Sequence, residues 1–120
     1  MKKILIVEDE ELNLDLLIQL LEDRYELFTA KDGVSAVTMA GEEEPDLILM
    51  DMRLPVIDGW EATRLIKSGE TTGNIPVIGL SSYAMSGDSE RAYAAGCDAY
   101  MTKPLDEDLL FEKLEKLLGE

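Results

Sequence analysis

At 120 residues the chain has room for one compact domain, and its 46% apolar content is ordinary for a packed globular protein and too high for a disordered one. The formal net charge of −15 repels phosphate backbones and anionic bilayers, so no nucleic-acid partner and no membrane partner are expected. No apolar run approaches the roughly 20 residues of a spanning helix, the opening Met1–Val7 is too short for a signal peptide, and Cys97 is the single cysteine, so no internal disulfide forms. A cytoplasmic location is the default expectation.

Short apolar runs alternate with longer amphipathic segments. The first run, Ile4-Leu5-Ile6-Val7, reads as a strand covered on both faces. Leu14, Leu17, Ile18 and Leu21 then share one helical face, and Tyr25 to Ala30 mixes polar and apolar residues as an edge strand would. A helix carrying Val34, Val37 and Ala40 leads to the second continuous run, Leu47-Ile48-Leu49-Met50. Ala62, Leu65 and Ile66 mark the third helix, and Val77-Ile78-Gly79-Leu80 the fourth strand. An alanine-rich helix from about Ala84 to Ala95 stops at Gly96, a natural C-cap. Ala99-Tyr100-Met101 and the stripe Leu110, Leu114, Leu117 complete the series.

Five strand–helix repeats predict an α/β protein, a doubly wound five-stranded parallel sheet flanked by five helices. Right-handed crossovers leave few strand orders. Order 2-1-3-4-5 has its switch point between the first and third strands, where ligands bind in such sheets. Both of those strands run straight into carboxylates: Glu8-Asp9 after the first and Asp51 after the third.

Three convergent carboxylates repel one another, and hard oxygen ligands gathered in this way suit Mg²⁺. Acidic residues also cap strands and open helices, so Glu8-Asp9 alone decides little. The fourth strand ends in Ser81-Ser82 and the fifth in Thr102-Lys103-Pro104, which adds a hydroxyl and an ammonium; the proline admits a cis bond before it. An Asp nucleophile, a divalent cation, a hydroxyl and an ammonium are the parts of a phosphoryl-transfer site. Attack by Asp51 would load charge on the equatorial phosphoryl oxygens, to be neutralised by the cation, Ser81 and Lys103.

In order and spacing these residues match a known family. Glu8-Asp9, Met50-Asp51-Met52-Arg53-Leu54-Pro55, Asp58-Gly59, Ile75-Pro76-Val77-Ile78 leading to Ser81, Gly96-Cys97, and Tyr100 with Lys103-Pro104 resemble response-regulator receiver domains over essentially the whole chain. The resemblance implies a flavodoxin-like fold over residues 1–120 as a single domain. It implies Asp51 as phosphoacceptor, with Asp9, Asp51 and the Arg53 carbonyl as Mg²⁺ ligands and Glu8 acting through water. Ser81 and Lys103 would hold the phosphoryl group, and Ser81 with Tyr100 would form the switch that biases the face of helix 4, strand 5 and helix 5. That surface would serve a downstream protein target or a weak dimer of an otherwise monomeric protein.

The chain holds no histidine, so the phosphodonor must be a separate protein or a small molecule, and by the same resemblance it is a histidine kinase or histidine-phosphotransfer protein. It is expected to dock near the first helix, where Leu12 and Asn13 follow the acidic pair. The chain would be a signalling receiver that catalyses only its own phosphorylation and dephosphorylation. With Met1 directly before the first strand and Glu120 just after the last helix, a free-standing regulator is expected rather than a piece of a longer protein. Serine replaces the commoner threonine at Ser81 and the commoner alanine at Ser82, and both keep the site small. Arg53 and Tyr83 are expected to shield the acyl phosphate from water, and Ser68 to Asn74 reads as a surface insertion.

Three rival readings are weaker. A hydrolase of the haloacid-dehalogenase type needs a second Asp two residues after the nucleophile, where this chain has Arg53. A flavodoxin-like nucleotide binder wants a Ser/Thr/Gly-rich loop after the first strand, where this chain has Glu8-Asp9-Glu10-Glu11. An unphosphorylated interaction module would not need the acceptor, acidic pair, hydroxyl and lysine all intact.

Overall fold

The computed structural model describes residues 1–82 and 87–119. Its strands are β1 (Lys3–Val7), β2 (Glu26–Ala30), β3 (Leu47–Asp51), β4 (Val77–Ser81) and β5 (Ala99–Thr102). Its helices are α1 (Glu11–Leu21), α2 (Gly33–Glu43), α3 (Gly59–Ser68), α4 (Asp88–Ala95) and α5 (Glu107–Leu118). All pairings are parallel and the order is β2-β1-β3-β4-β5, as the carboxylate-tipped strands imply. Among the described residues no helix is long and apolar enough to cross a membrane.

The continuous apolar runs resolve into two faces because strand side chains alternate. Leu5, Val7, Ile48, Met50 and Val77 share one cluster with residues of α2, α3 and α4. Ile4, Ile6, Leu47, Leu49, Ile78 and Leu80 share the other with Leu14, Leu17 and Leu21 of α1 and Leu110 and Leu114 of α5. The sheet is therefore wrapped on both sides, and β2, with Leu27 and Phe28 only partly buried, lies at its edge.

Two helices sit rotated from their sequence stripes. In α2 the buried residues are Gly33, Ala36 and Ala40, whereas Val34 is 49% exposed. The cause is Gly33: a Cβ there would lie 2.2 Å from the carbonyl oxygen of Ile57, so the helix start presses against the β3–α3 loop and turns its small residues inward. In α3 the buried set is Gly59, Trp60, Ala62, Thr63 and Ile66, and Leu65 is 43% exposed, because the bulk of Trp60 draws that side of the helix onto the sheet. For α4, the expected first residues fall within 83–86, outside the described residues; its end at Gly96, with φ +115, is as expected. The Ser68–Asn74 stretch is tied down, with Thr72 buried and its hydroxyl donating to the Ile66 carbonyl at 2.6 Å.

The β3–α3 loop is shaped tightly. Gly59 opens α3 against the end of β3, where a Cβ would sit 2.2 Å from the Asp51 carbonyl oxygen and 2.6 Å from the Met52 Cα. Asp58 caps the helix, its carboxylate accepting from the Glu61 N–H at 2.9 Å. Val56 holds a left-handed φ of +71, a conformation costly for a β-branched residue, and is 78% exposed.

Gly59→Ala is expected to cost about 1–3 kcal/mol by overpacking, read as a lower urea midpoint at unchanged slope. Val56→Asn should do the reverse and raise stability by about 1 kcal/mol, since asparagine tolerates the left-handed region.

Candidate functional site

The site forms where β1 and β3 leave the sheet. Val7 lies opposite Met50, so Glu8 and Asp51 emerge from adjacent strands side by side. Glu8 and Asp51 are buried at 1% and 4% exposure, while Asp9 faces solvent. One carboxylate oxygen from each of Glu8, Asp9 and Asp51 can be chosen so that all lie within 4.8 Å of one another.

Buried carboxylates this close need compensation. Lys103, just beyond β5, supplies it: its ammonium donates to Glu8 Oε1 at 2.5 Å and to Asp51 Oδ2 at 3.3 Å. Its peptide bond to Pro104 is cis. Its backbone is fixed as well, the Lys103 N–H donating to the Ser81 carbonyl at 2.8 Å. Backbone amides take up the other carboxylate oxygens: Asp51 Oδ1 accepts from the Arg53 N–H at 3.0 Å and Glu8 Oε2 from the Glu10 N–H at 3.2 Å.

The charge states follow from these contacts. Burial raises the Glu8 carboxyl most, the Lys103 hydrogen bond opposes the rise and the neighbouring Asp51 adds to it, so that the group is pushed up to about 7. Burial would lower the Lys103 ammonium, but the Glu8 hydrogen bond and the Asp51 and Glu8 charges outweigh it and hold the group above its ordinary value. One ammonium against three carboxylates leaves the cluster short of positive charge. Hard oxygen donors, partly buried and with a charge deficit, fit a divalent cation such as Mg²⁺.

Ser81 closes β4, fully buried and opposite Thr102 of β5. Asp51 stands opposite Leu80, which brings the serine to the same sheet edge as Asp51. Tyr100 lies away from the carboxylates, half-buried against the α2–α3–α4 cluster, and the lack of a side chain at Gly79 makes room for its ring. Its hydroxyl is buried without a hydrogen-bond partner.

The Arg53 guanidinium is engaged by α3 and α4. The group lies over the ring of Trp60 at 4.8 Å, with Nη2 3.5 Å from Asp88 Oδ2 of α4. Tyr83, its expected companion in shielding, is outside the described residues. Trp60, Asp88 and Arg91, whose guanidinium is 3.9 Å from the same ring, were not singled out by sequence reasoning. Neither helical periodicity nor the residues of the family resemblance marks them.

Comparison with known proteins agrees with this geometry. Residues 4–115 match the family model described as the response regulator receiver domain. The polar-differentiation response regulator DivK of Brucella ovis is 42% identical over 120 residues, covering 99% of this chain and 98% of the relative. The receiver domain of the sensor histidine kinase PA1611 of Pseudomonas aeruginosa PAO1, solved with a magnesium ion in its active-site cleft, superposes with a TM-score of 0.92 at 37% identity, covering 99% of this chain and 98% of that one. The chemotaxis protein CheY4 of Vibrio cholerae superposes with a TM-score of 0.90 at 26% identity, covering 98% and 99% of the two chains. The chain belongs to the family of response-regulator receiver domains, the phosphoacceptor modules of two-component signalling.

Proposed function

We propose that Asp51 is the phosphoacceptor and that Glu8, Asp9, Asp51, Ser81 and Lys103 form the working site around it. The observation that carries this reading is the Lys103 ammonium held between Glu8 and Asp51, beside a third carboxylate and with too little positive charge nearby. A carboxylate oxygen of Asp51 attacks phosphorus in line, the P–N bond to a donor phosphohistidine breaks, and its electron pair leaves with the imidazole. Lys103 stays protonated to meet the charge spreading over the phosphoryl oxygens, and the Ser81 hydroxyl is placed at the same edge to donate to one of them. Mg²⁺, held by Asp9, Asp51 and the Arg53 carbonyl with Glu8 in support, would supply charge neutralisation and alignment of the phosphoryl group. The product is a signal and not a released chemical.

Tyr100 supports the switch reading through its unsatisfied hydroxyl. A buried unpaired hydroxyl costs about 1–3 kcal/mol, so the observed placement is not greatly favoured over others. Movement of Ser81 toward a phosphoryl group would open space for the ring, and the surface of α4, β5 and α5 would change for its protein target.

A donor surface is offered beside the site. A groove of about 250 Å³ runs between α1 and the segment after Lys103, lined by Asn13, Leu16, Leu17, Leu20, Pro104 and Leu105 and reaching Glu8 and Lys103. Leu16 is 55% exposed in it; Leu12, at 65%, stands outside its lining. A histidine kinase or phosphotransfer protein seated there would bring its phosphohistidine to the carboxylates.

Intact-mass measurement after incubation with acetyl phosphate should show one phosphoryl adduct, labile to base, that needs both Mg²⁺ and Asp51. No adduct in the wild type, or an undiminished one in Asp51→Asn, would sink the assignment. In the double variant Asn13→Ala, Leu16→Asp, transfer from a phosphorylated protein donor should slow about tenfold or more, a loss of about 1.4 kcal/mol, while labelling by acetyl phosphate stays as in the wild type. Equal slowing of both reactions would remove the groove as the donor surface.

A further inference from the structure

Helix α4, which the Arg53 side chain reaches from the β3–α3 loop, is lightly anchored by apolar contact. Helix α4 buries only Ala92, Ala95 and Asp88, whereas α1 buries Leu14, Leu17 and Leu21 and α5 buries Leu110 and Leu114. Its N-cap, Gly87, offers no side chain to its first amides. Elements held this lightly open at low cost unless something else fastens them.

The fastening comes from two arginines acting on one ring. Arg53 reaches from the acceptor loop to the Trp60 ring, 4.8 Å from its centroid, and to Asp88 in the first turn of α4. Arg91 reaches back from α4 to the same ring, 3.9 Å from its centroid, with Nη2 3.9 Å from the Asp58 carboxylate. Trp60 is 2% exposed and its indole N–H has no partner, so the ring is held by its faces and edges and not by a hydrogen bond. Tryptophan is the best aromatic partner for a guanidinium, and Asp58 and Asp88 offset the charge of the two cations.

Arg53 works at both ends of this linkage. Its backbone N–H donates to Asp51 Oδ1 at 3.0 Å, while its side chain holds Trp60 and Asp88. Turning the Asp51 carboxylate into an acyl phosphate weakens that acceptor and changes what the Arg53 backbone can hold. The side chain moves with its backbone, so the change is passed to α4.

We propose that Trp60, gripped by Arg53 and Arg91, is a latch that fastens α4 to the acceptor loop in the unphosphorylated protein and sets how readily phosphorylation releases it. The inference rests on Asp51 being the phosphoacceptor and identifies what that event must break. Because coupling between two sites is reciprocal, a partner that draws α4 away also tightens the hold of Asp51 on its phosphoryl group. Trp60 and Arg91 are positioning residues in this scheme and touch no reacting atom.

Beryllofluoride, an acyl-phosphate mimic, tests the latch with Mg²⁺ present in an isothermal titration. The decisive variant is Arg91→Ala, whose side chain is 56% exposed in the wild type and whose loss leaves the core intact. Breaking the latch beforehand removes a cost of binding, so Arg91→Ala should bind beryllofluoride about three- to tenfold more tightly than wild type. Arg91→Lys keeps a cation over the ring and should fall between the two. Amide hydrogens of α4 should exchange faster in unliganded Arg91→Ala than in unliganded wild type. Unchanged or weaker beryllofluoride binding by folded Arg91→Ala, with wild type binding normally, overturns the latch and leaves the phosphoacceptor reading standing. Wild type that fails to bind overturns that reading and the latch with it.

Discussion

Everything in this molecule is arranged around carboxylates that would separate if they were free to. Unit charges about 4 Å apart repel by roughly 4 kcal/mol at the effective dielectric of a protein surface. Glu8 and Asp51 cannot move apart because each follows directly from a strand buried on both faces, and the β1–β3 register sets them side by side. The two apolar clusters thus hold a polar strain at the sheet edge. Lys103 relieves part of it, and the amides of Glu10 and Arg53 relieve more. What is left is a standing demand for positive charge, which is the property a phosphoryl-accepting site must have before the phosphoryl group arrives.

The two faces of the sheet are not equally firm. Helices α1 and α5 bury rows of leucine, and the groove beside α1 is cut into that solid side. The opposite face carries Trp60 and Ile66 of α3, but also α4, with its two buried alanines, and Tyr100, with its orphaned hydroxyl. On the proposed reading the leucine-rich side positions an incoming donor, and the lightly held α4 reports that the donor has been. The division follows from side-chain size along the helices.

Much of this was legible in the sequence because strands announce themselves as apolar runs and their ends as abrupt charges. Glu8, Asp9, Asp51 and Lys103 were readable in that way, since parallel strands all deliver their C-terminal residues to one edge. Small residues hid the helix faces: Gly33 in α2 and Thr63 in α3 are buried where a hydrophobic stripe predicts valine or leucine, leaving Val34 and Leu65 outside. The arginine contacts with Trp60 had no linear signal at all. Arg53, Trp60 and Arg91 come from a loop and two helices, and only the packing of α4 on α3 brings them to one ring.

The charge of the whole chain bears on how the donor is found. At a net −15 the long-range field opposes the approach of a small phosphoryl anion. That repulsion is screened over about 8 Å at physiological ionic strength. Within that distance the approach to the site is set by local features: the leucine-lined groove, the Lys103 ammonium, and the Arg53 and Arg91 guanidinium groups beside the acceptor loop. On the proposed reading a donor is recognised by apolar contact first, and its phosphoryl group meets favourable charge once it is seated. On the same reading small anionic donors lack that contact and face the repulsion alone.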